Sequence, residues 1–261
     1  MKTNNYNQKI VWMLSDVWIM TWRNLLKYKR LPQLLVFSTI QPVMFVLLFV
    51  YVFGGAIPIP GIDYVDYLIP GILVQSVIFG STQTGIGLAE DLSKGMIDRF
   101  HSLPMARSAV LMGRTISDSI RNIFVISLMV FVGYLVGFNF QDGVVNALFA
   151  IILIVLFGFC FSWISANIGM MVKDVETAQV AGFIWVFPLV FASSAFVPTG
   201  TMPDWLRLFA DNSPITMLIN SARGLSLGGA QFSDILATFA WMGIILLIFV
   251  PLAVNRYKKI A

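Results

Sequence analysis

Long apolar runs decide what this chain can fold into. Six stretches are each apolar over about 20 residues, the length that an α-helix needs to cross the hydrocarbon core of a bilayer. They are predicted at Leu34–Phe53, Tyr67–Ala89, Ser119–Phe138, Val144–Val172, Ala178–Val197 and Ile235–Val254. Since 58% of the 261 residues are hydrophobic and only 11% are charged, a soluble domain could not cover this much apolar surface. The runs also lack the polar–apolar alternation of membrane β-strands, so the sequence predicts an all-α integral membrane protein.

Basic residues are distributed unevenly between the predicted loops. Of the 17 Lys and Arg, only Arg207 and Arg223 fall on one side of the membrane. Cytoplasmic loops are the ones that carry an excess of basic residues, so we expect a multi-pass protein of the cell membrane with both termini and residues 90–118 in the cytoplasm. Because these charges are scattered among loops, the formal net charge of +4 gives no reason to expect a nucleic-acid partner.

The first 33 residues precede the first apolar run and carry several tryptophans. The residues that recur near helical spacing are Val11, Leu14, Trp18, Trp22, Leu25 and Leu26, and Lys27, Lys29 and Arg30 follow them. Tryptophans and cations on an amphipathic helix are typical of a helix lying in the membrane interface. We therefore expect residues 1–33 to form a cytoplasmic interfacial helix; a disordered basic tail is the alternative.

The residue types needed for most chemistry are scarce. His101 is the only histidine and Cys160 the only cysteine, so we expect no metal site and no catalytic residues. No glycine-rich phosphate-binding loop ending in Lys-Ser or Lys-Thr occurs, so we expect no ATP site and no other cofactor in this chain. None of the 13 acidic residues falls in the middle of a predicted span, which argues against ion-coupled transport.

Uncharged polar residues do lie inside the spans. Gln41, Gln75, Gln83 and Asn167 are candidates for lining a path for an amphiphilic substrate. Hydrogen bonds between packed helices are the alternative explanation for each of them. Near Gln83, Gly85 and Gly87 are expected to allow close helix packing.

Residues 198–234 form an irregular external segment before the last span. Two Pro-bounded helical pieces in it are too short and too polar to cross the membrane, so we expect helices that dip into the outer leaflet and return. Trp205 and Phe209 are candidates for an external gate. A cap without a role in transport is the alternative.

A charged segment separates the second and third spans. It reads EDLSKGMIDRFHSLPMARSAVLMGRTISD, from Glu90 to Asp118. A short helix there would place Phe100 and Leu103 where they can fill a partner's apolar groove, beside charged residues that hydrogen-bond across the contact. Pro104 is expected to end this helix. The sequence KDVE at Lys173–Glu176 would make a smaller second contact; a solvated connector is the alternative for the charged segment.

The stretch GMIDRFHSLPMARSAVLMGR resembles the cytoplasmic loop of type-2 ABC exporter permeases, in particular those similar to daunorubicin-resistance permeases. The external stretch MPDWLRLFADNSPITMLINSARGL is similar to the same family's segment before the last span. The resemblance implies a permease pair docked on two ATP-binding subunits, which bind ATP and Mg. The residues assigned to ATPase coupling are Asp91, Gly95, Asp98, Arg99, Phe100, Leu103, Pro104, Arg107, Lys173, Asp174 and Glu176.

These expectations describe one transmembrane domain over residues 1–261. Its parts are 1–33, the interfacial helix; 34–89, the first two spans; 90–118, the coupling segment; 119–197, spans three to five; 198–234, the external re-entrant segment; and 235–261, the last span and cytoplasmic tail. The resemblance implies the permease subunit of an ATP-driven exporter for a hydrophobic or amphiphilic drug, natural product or lipid-like molecule. A permease for polysaccharide or lipid-linked glycan, and a membrane immunity or sensor subunit, are the alternatives. The second permease chain is either another copy of this chain or a sister permease.

Overall fold

The structure is a computed structural model. It describes the backbone of residues 3–57, 59, 61–102, 105–172 and 174–260, and the side chains of these residues except 3–10, 34, 98, 101 and 107. Leu103, Pro104 and Lys173 therefore lie outside the described residues.

The described chain is helical throughout its ordered elements, which confirms the predicted all-α membrane protein. The α-helices are α1 Thr3–Arg30, α2 Gln33–Leu48, α3 Tyr64–Ser93, α4 Met96–His101, α5 Arg107–Leu135, α6 Gly143–Gly169, α7 Val175–Phe191, α8 Asp204–Asp211, α9 Pro214–Leu227 and α10 Phe232–Lys259. A π-helix at Phe49–Phe53 extends α2, and a 3₁₀ turn at Thr199–Thr201 precedes α8.

Within the described residues, five helical segments are long and apolar enough to cross a bilayer. They are Leu35–Phe53, Tyr64–Ser93, Ser108–Leu135, Gly143–Gly169 and Phe232–Lys259. The predicted fifth span corresponds to α7, an apolar helix of 17 residues that ends in a turn before Val197. A sixth crossing thus stays a prediction.

Helix α3 forms the centre of the bundle. It packs against α5, α6, α7 and α9, and its apolar stretch is 78% buried, whereas that of α2 is only 11% buried. Its hydroxyl residues are compatible with burial because they donate to carbonyl oxygens of their own helix, as in Ser76 Oγ to Ile72 O at 2.7 Å and Thr82 Oγ1 to Phe79 O at 2.7 Å. Helix α2 instead lies at the edge, with most of its apolar side chains exposed.

Two groups of contacts define the two ends of the bundle. The end of the bundle that carries the charged segment 90–118 is called the charged end. There, α1, α4 and the start of α5 meet the last turns of α6 and α10 in an apolar cluster that includes Met20, Ile97, Leu111, Trp163 and Tyr257. At the opposite end, the loop after α5 meets α9 and the start of α3: Gln141 N donates to Ser226 O at 2.8 Å. Arg223 lies there over the ring of Tyr67, at 3.7 Å, and donates to the Ser194 carbonyl.

Helices α3 and α6 cross at glycines, which confirms the close packing expected at Gly85. A Cβ added at Gly85 would lie 2.3 Å from Ser165 O, and one at Gly169 would lie 2.1 Å from Gly85 O. Real Cβ atoms do not approach this closely, so the two backbones would have to separate.

We therefore expect Gly85→Ala to destabilise the fold by about 1–3 kcal/mol, because the added methyl group overpacks a backbone contact. Thermal unfolding of the purified protein measures the loss. Gly243→Ala is the matched control, since Gly243 lies in α10 with open space around its Cβ position. Equal unfolding temperatures for the two variants would contradict the packing described here.

Labelling with a membrane-impermeant thiol reagent tests the predicted orientation. Cysteines engineered at Asp142 and Thr201, both exposed at the opposite end, should react in intact cells, whereas one at Ser102 should react only after permeabilisation. The unmodified chain is the control, because its single cysteine, Cys160, is buried. The reverse labelling pattern would show that the orientation is opposite to the predicted one.

Candidate functional site

Helix α1 is fastened to the end of α3 by ion pairs. Arg23 Nη2 lies 2.9 Å from Asp91 Oδ2, and Lys27 Nζ lies 2.5 Å from Glu90 Oε2. Glu90 also pairs with Lys94 at 2.7 Å, and this hydrogen bond raises the pKa of the Lys94 ammonium. Asp91, assigned to coupling from the sequence, thus joins the charged segment to α1.

Gly95 turns the chain from α3 into α4. Its φ of 64° lies in the left-handed region, where residues with a side chain are strained but glycine is not. After this turn, Ile97 and Phe100 point into the bundle and Arg99 points out. The Gly95 backbone therefore decides which face of α4 is available to a partner.

Phe100 lies differently from the expectation that it fills a partner's groove. Its ring is 8% exposed, packs in the apolar cluster at the charged end and lies under the Arg23 guanidinium at 4.7 Å. The reason is the helical period: α4 has an apolar face, and α1, α3 and α5 offer that face a dry surface next to it. Phe100 therefore packs α4 against the rest of this chain, whereas the neighbouring Arg99 is exposed.

The start of α5 is also held by α1. The backbone N–H of Ala106, which precedes the first helical residue Arg107, donates to Asp16 Oδ2 at 3.1 Å. A carboxylate at this position also complements the positive end of the α5 dipole. The side chains of Asp98 and Arg107 are outside the described ones, so their roles stay expectations.

The turn before α7 is where the sequence predicts a second, smaller contact with a partner. Asp174 caps α7 by accepting from Thr177 N at 2.7 Å and from Thr177 Oγ1 at 2.8 Å. These hydrogen bonds, the backbone one first, lower the pKa of the Asp174 carboxyl, which stays charged at the surface. Glu176 is exposed in the first turn of the same helix.

A buried polar cluster lies between α1, α3 and α5, and the sequence analysis missed it. Asp118 has no exposed surface and accepts from Tyr28 Oη at 2.8 Å and from Thr84 Oγ1 at 2.5 Å. Arg114 Nε lies 3.6 Å from Asp118 Oδ2, in space that exists because residue 87 is glycine: a Cβ there would overlap the guanidinium. From the sequence, Arg114 and Asp118 read as part of the polar cytoplasmic segment. The Arg-x-x-x-Asp spacing, which puts both on one helix face, was the available signal.

Three of the four residues proposed to line a path come together. Gln41, Gln75 and Gln83 line one cavity of about 80 Å³ between α2, α3 and α5. The same cavity is lined by Arg121 and Asn122, which the sequence analysis did not select. Asn167 lies elsewhere: its Nδ2 donates to Trp163 O and Phe249 O at 2.8 and 2.9 Å, which ties α6 to α10. Helix packing therefore accounts for Asn167.

Two wider cavities adjoin the first along α2. One, of about 530 Å³, opens toward the charged end and is lined by Lys27, Tyr28, Glu90 and Arg114 among others. The other, of about 430 Å³, is a groove between α2 and the end of α7, lined by apolar side chains: Phe37, Ile40, Met44, Phe45, Leu48, Phe49, Phe53 and Phe191. Gln41 borders all three cavities, so the three cavities adjoin one another in a row along α2.

The segment before α10 contains two helices of different character. Helix α9 is buried in the main core, with Ile215, Leu218 and Ile219 fully inaccessible. Helix α8 carries its apolar side chains on the outside: Trp205 is 74% exposed and Phe209 is 47% exposed. The two candidate gate residues therefore face away from the bundle.

Comparison with known proteins agrees with this architecture. Residues 15–227 match the family model described as ABC-2 type transporter. The chain is 32% identical over 238 residues, 91% of its length and 84% of the relative's, to the daunorubicin resistance ABC transporter permease protein DrrB1 of Streptomyces coeruleorubidus. It is 27% identical over 225 residues, 85% and 80% of the two chains, to the probable doxorubicin resistance ABC transporter permease protein DrrC of Mycobacterium tuberculosis. It is also 26% identical over 262 residues, 95% and 89%, to the putative transport permease ycf38 of Cyanophora paradoxa.

The match over residues 15–227 covers α2 to α9 and most of α1, and therefore both the charged segment and the cavities along α2. The resemblance seen in the sequence is confirmed: the chain belongs to the ABC-2 type transporter family and is a multi-pass transmembrane subunit of an ABC transporter.

Proposed function

We propose that this chain is the permease subunit of an ATP-driven exporter in the cell membrane, moving a hydrophobic or amphiphilic molecule out of the cytoplasm. The observation that carries the proposal is the chain of cavities along α2, which changes from charged to polar to apolar away from the charged end. Such a gradient suits a molecule with a polar end and an apolar body. The relatives named as drug-resistance permeases support the direction and the substrate class.

Energy is proposed to enter at the charged end. Two ABC ATP-binding subunits, which bind ATP and Mg, dock on a pair of permease chains whose termini are cytoplasmic. The second permease is another copy of this chain or a sister permease. Arg99 contacts the ATP-binding subunit directly; Asp98, Leu103, Pro104 and Arg107 complete that surface, with Lys173, Asp174 and Glu176 beside it.

The contacts of α1 supply a route from that surface to the cavities. Asp91, Gly95 and Phe100 fix α4 to α3 and α1, so a push on α4 displaces α1 with it. Lys27 and Tyr28 of α1 line the cavity at the charged end. Movement of this unit therefore changes the shape of the space proposed to hold the substrate.

The segment with α8 and α9 is proposed to control the exit. Trp205 and Phe209 anchor α8 in the outer leaflet, since exposed aromatic side chains favour the membrane interface. Helix α9 leads directly from α8 into the main core.

A glycan exporter and a non-transporting sensor subunit are the competing functions. The apolar groove of α2 favours an amphiphile over a polysaccharide, whose hydroxyl groups need a polar path. Purification separates the sensor from the transporter: a P-loop ATPase that copurifies with the chain supports transport, and a chain that purifies without one supports the sensor.

Replacing Arg99 with Glu should uncouple the permease from its ATP-binding subunit. A reversed charge at a desolvated contact costs on the order of 2–5 kcal/mol. Arg99 is exposed on α4, so the permease should still fold. The measurement is ATP hydrolysis by the reconstituted complex: the stimulation by substrate should be lost.

Lys258→Glu is the matched control, because it makes the same charge change at an exposed position of the same end but outside α4. The control complex should keep its stimulation. Normal stimulation of the Arg99→Glu complex would show that the charged segment is only a connector.

A further inference from the structure

The cavity between α2, α3 and α5 contains hydrogen-bonding atoms that have no partner among the described residues. They are Nε of Arg121 and Oε1 of Gln75. The two side chains are 5% and 4% exposed, and both line the cavity. Leaving a buried donor or acceptor unpaired costs about 1–3 kcal/mol each, so such a set indicates a place where a polar group binds.

The charge of Arg121 indicates which kind of polar group the cavity would bind. Arg121 donates through Nη2 to Gly80 O at 2.6 Å and to Asn122 Oδ1 at 3.0 Å, and its guanidinium lies 5.9 Å from the Tyr28 ring centroid. No carboxylate of the described side chains pairs with it. By contrast, Arg114 lies beside Asp118, and Lys27 pairs with Glu90. A buried arginine without an anion is costly, and an anionic ligand would offset that cost.

Arg121 and Asn122 can pack against α3 because residue 80 is glycine. A Cβ at Gly80 would lie 2.5 Å from Asn122 Oδ1 and 3.0 Å from Arg121 Nη2. Arg121 stands 14 residues before the end of α5 at Leu135, about 21 Å along the helix axis. The site is therefore inside the bundle and not at either end of the helix.

The neighbouring cavities indicate how a ligand would be oriented. Arg121, Gln41 and Gln83 also border the larger cavity at the charged end, and Gln41 borders the phenylalanine-lined groove. A molecule with its anionic group at Arg121 would reach this groove with its apolar part. The groove exceeds the about 300 Å³ at which small-molecule sites begin.

We propose that Arg121 and Gln75 form the head-group site for the substrate, and that the substrate is an amphiphile with a carboxylate or phosphate at its polar end. The anionic oxygens accept from Arg121 Nε, Gln75 Oε1 accepts from a hydroxyl or amide of the same ligand, and the apolar body lies along α2. This inference rests on the proposed function, because it names the substrate class of the same path.

Binding to the purified permease in nanodiscs of phosphatidylcholine tests the site without any ATP-binding subunit. The ligands are dansyl-labelled undecanoic acid, its uncharged methyl ester and dansyl-labelled undecylamine, followed by fluorescence. The acid should bind at least roughly tenfold more tightly than the ester, since hydrogen bonds to charged groups contribute about 1.5–3 kcal/mol. The amine should bind no more tightly than the ester.

Variants assign the preference to Arg121. Arg121→Gln should abolish the preference for the acid over the ester, and an unfolding temperature close to that of the unmodified chain shows that the variant is folded. Arg121→Lys should retain most of the preference. Gly80→Ala should weaken binding of the acid more than binding of the ester. Arg207→Gln, an exposed position at the opposite end, is the control and should bind both like the unmodified chain.

Three results would overturn the inference: equal binding of acid and ester, a preference that survives in Arg121→Gln, or tighter binding of the amine. These outcomes are independent of the coupling experiment, so a failed binding test leaves the proposed ATP-driven transport standing. Loss of coupling would likewise leave the binding result intact.

Discussion

A charge inside a membrane helix bundle must find its partner in the protein, because hydrocarbon offers none. Asp118 meets this requirement with Tyr28, Thr84 and Arg114, and so joins α5 to α1 and α3. Without the hydroxyl of Tyr28, part of a fully buried carboxylate would be left unsatisfied. The position of α1 on the bundle therefore follows from the burial of one carboxyl group.

That position makes the charged end a single unit. Once α1 lies against α5, its Arg23 and Lys27 reach Asp91 and Glu90 at the end of α3, and its Asp16 reaches the start of α5. Helix α4 is then held between them through Phe100. The cavities begin directly beside this unit, since Lys27 and Tyr28 form part of their wall. The proposed contact with a partner and the proposed space for a substrate are thus a few residues apart.

Five of the six predicted spans, the family and the short helix α4 were predictable, because each depends on residues close together in the sequence. Contacts between side chains that are far apart in the sequence could not be predicted. Asp118 is 90 residues from Tyr28. The Arg-x-x-x-Asp spacing indicates its pairing with Arg114, but nothing local indicates its contact with α1. Gln75 and Asn167 are both polar residues in apolar helices, yet only Gln75 faces a cavity, since the neighbouring helices decide which face is covered. Phe100 had the right character for an anchor, but its own chain offers the nearer groove.

We propose that the contacts of α1 with the charged segment transmit energy, and exchanging the charges of Arg23 and Asp91 tests this most directly. ATP hydrolysis by the complex of permease and ATP-binding subunit is measured with and without substrate. Arg23→Asp alone and Asp91→Arg alone each place two like charges together at this contact, so each should abolish the stimulation by substrate. The double exchange restores an opposite pair and should recover it. Normal stimulation in either single variant, or no recovery in the double variant, would contradict the account.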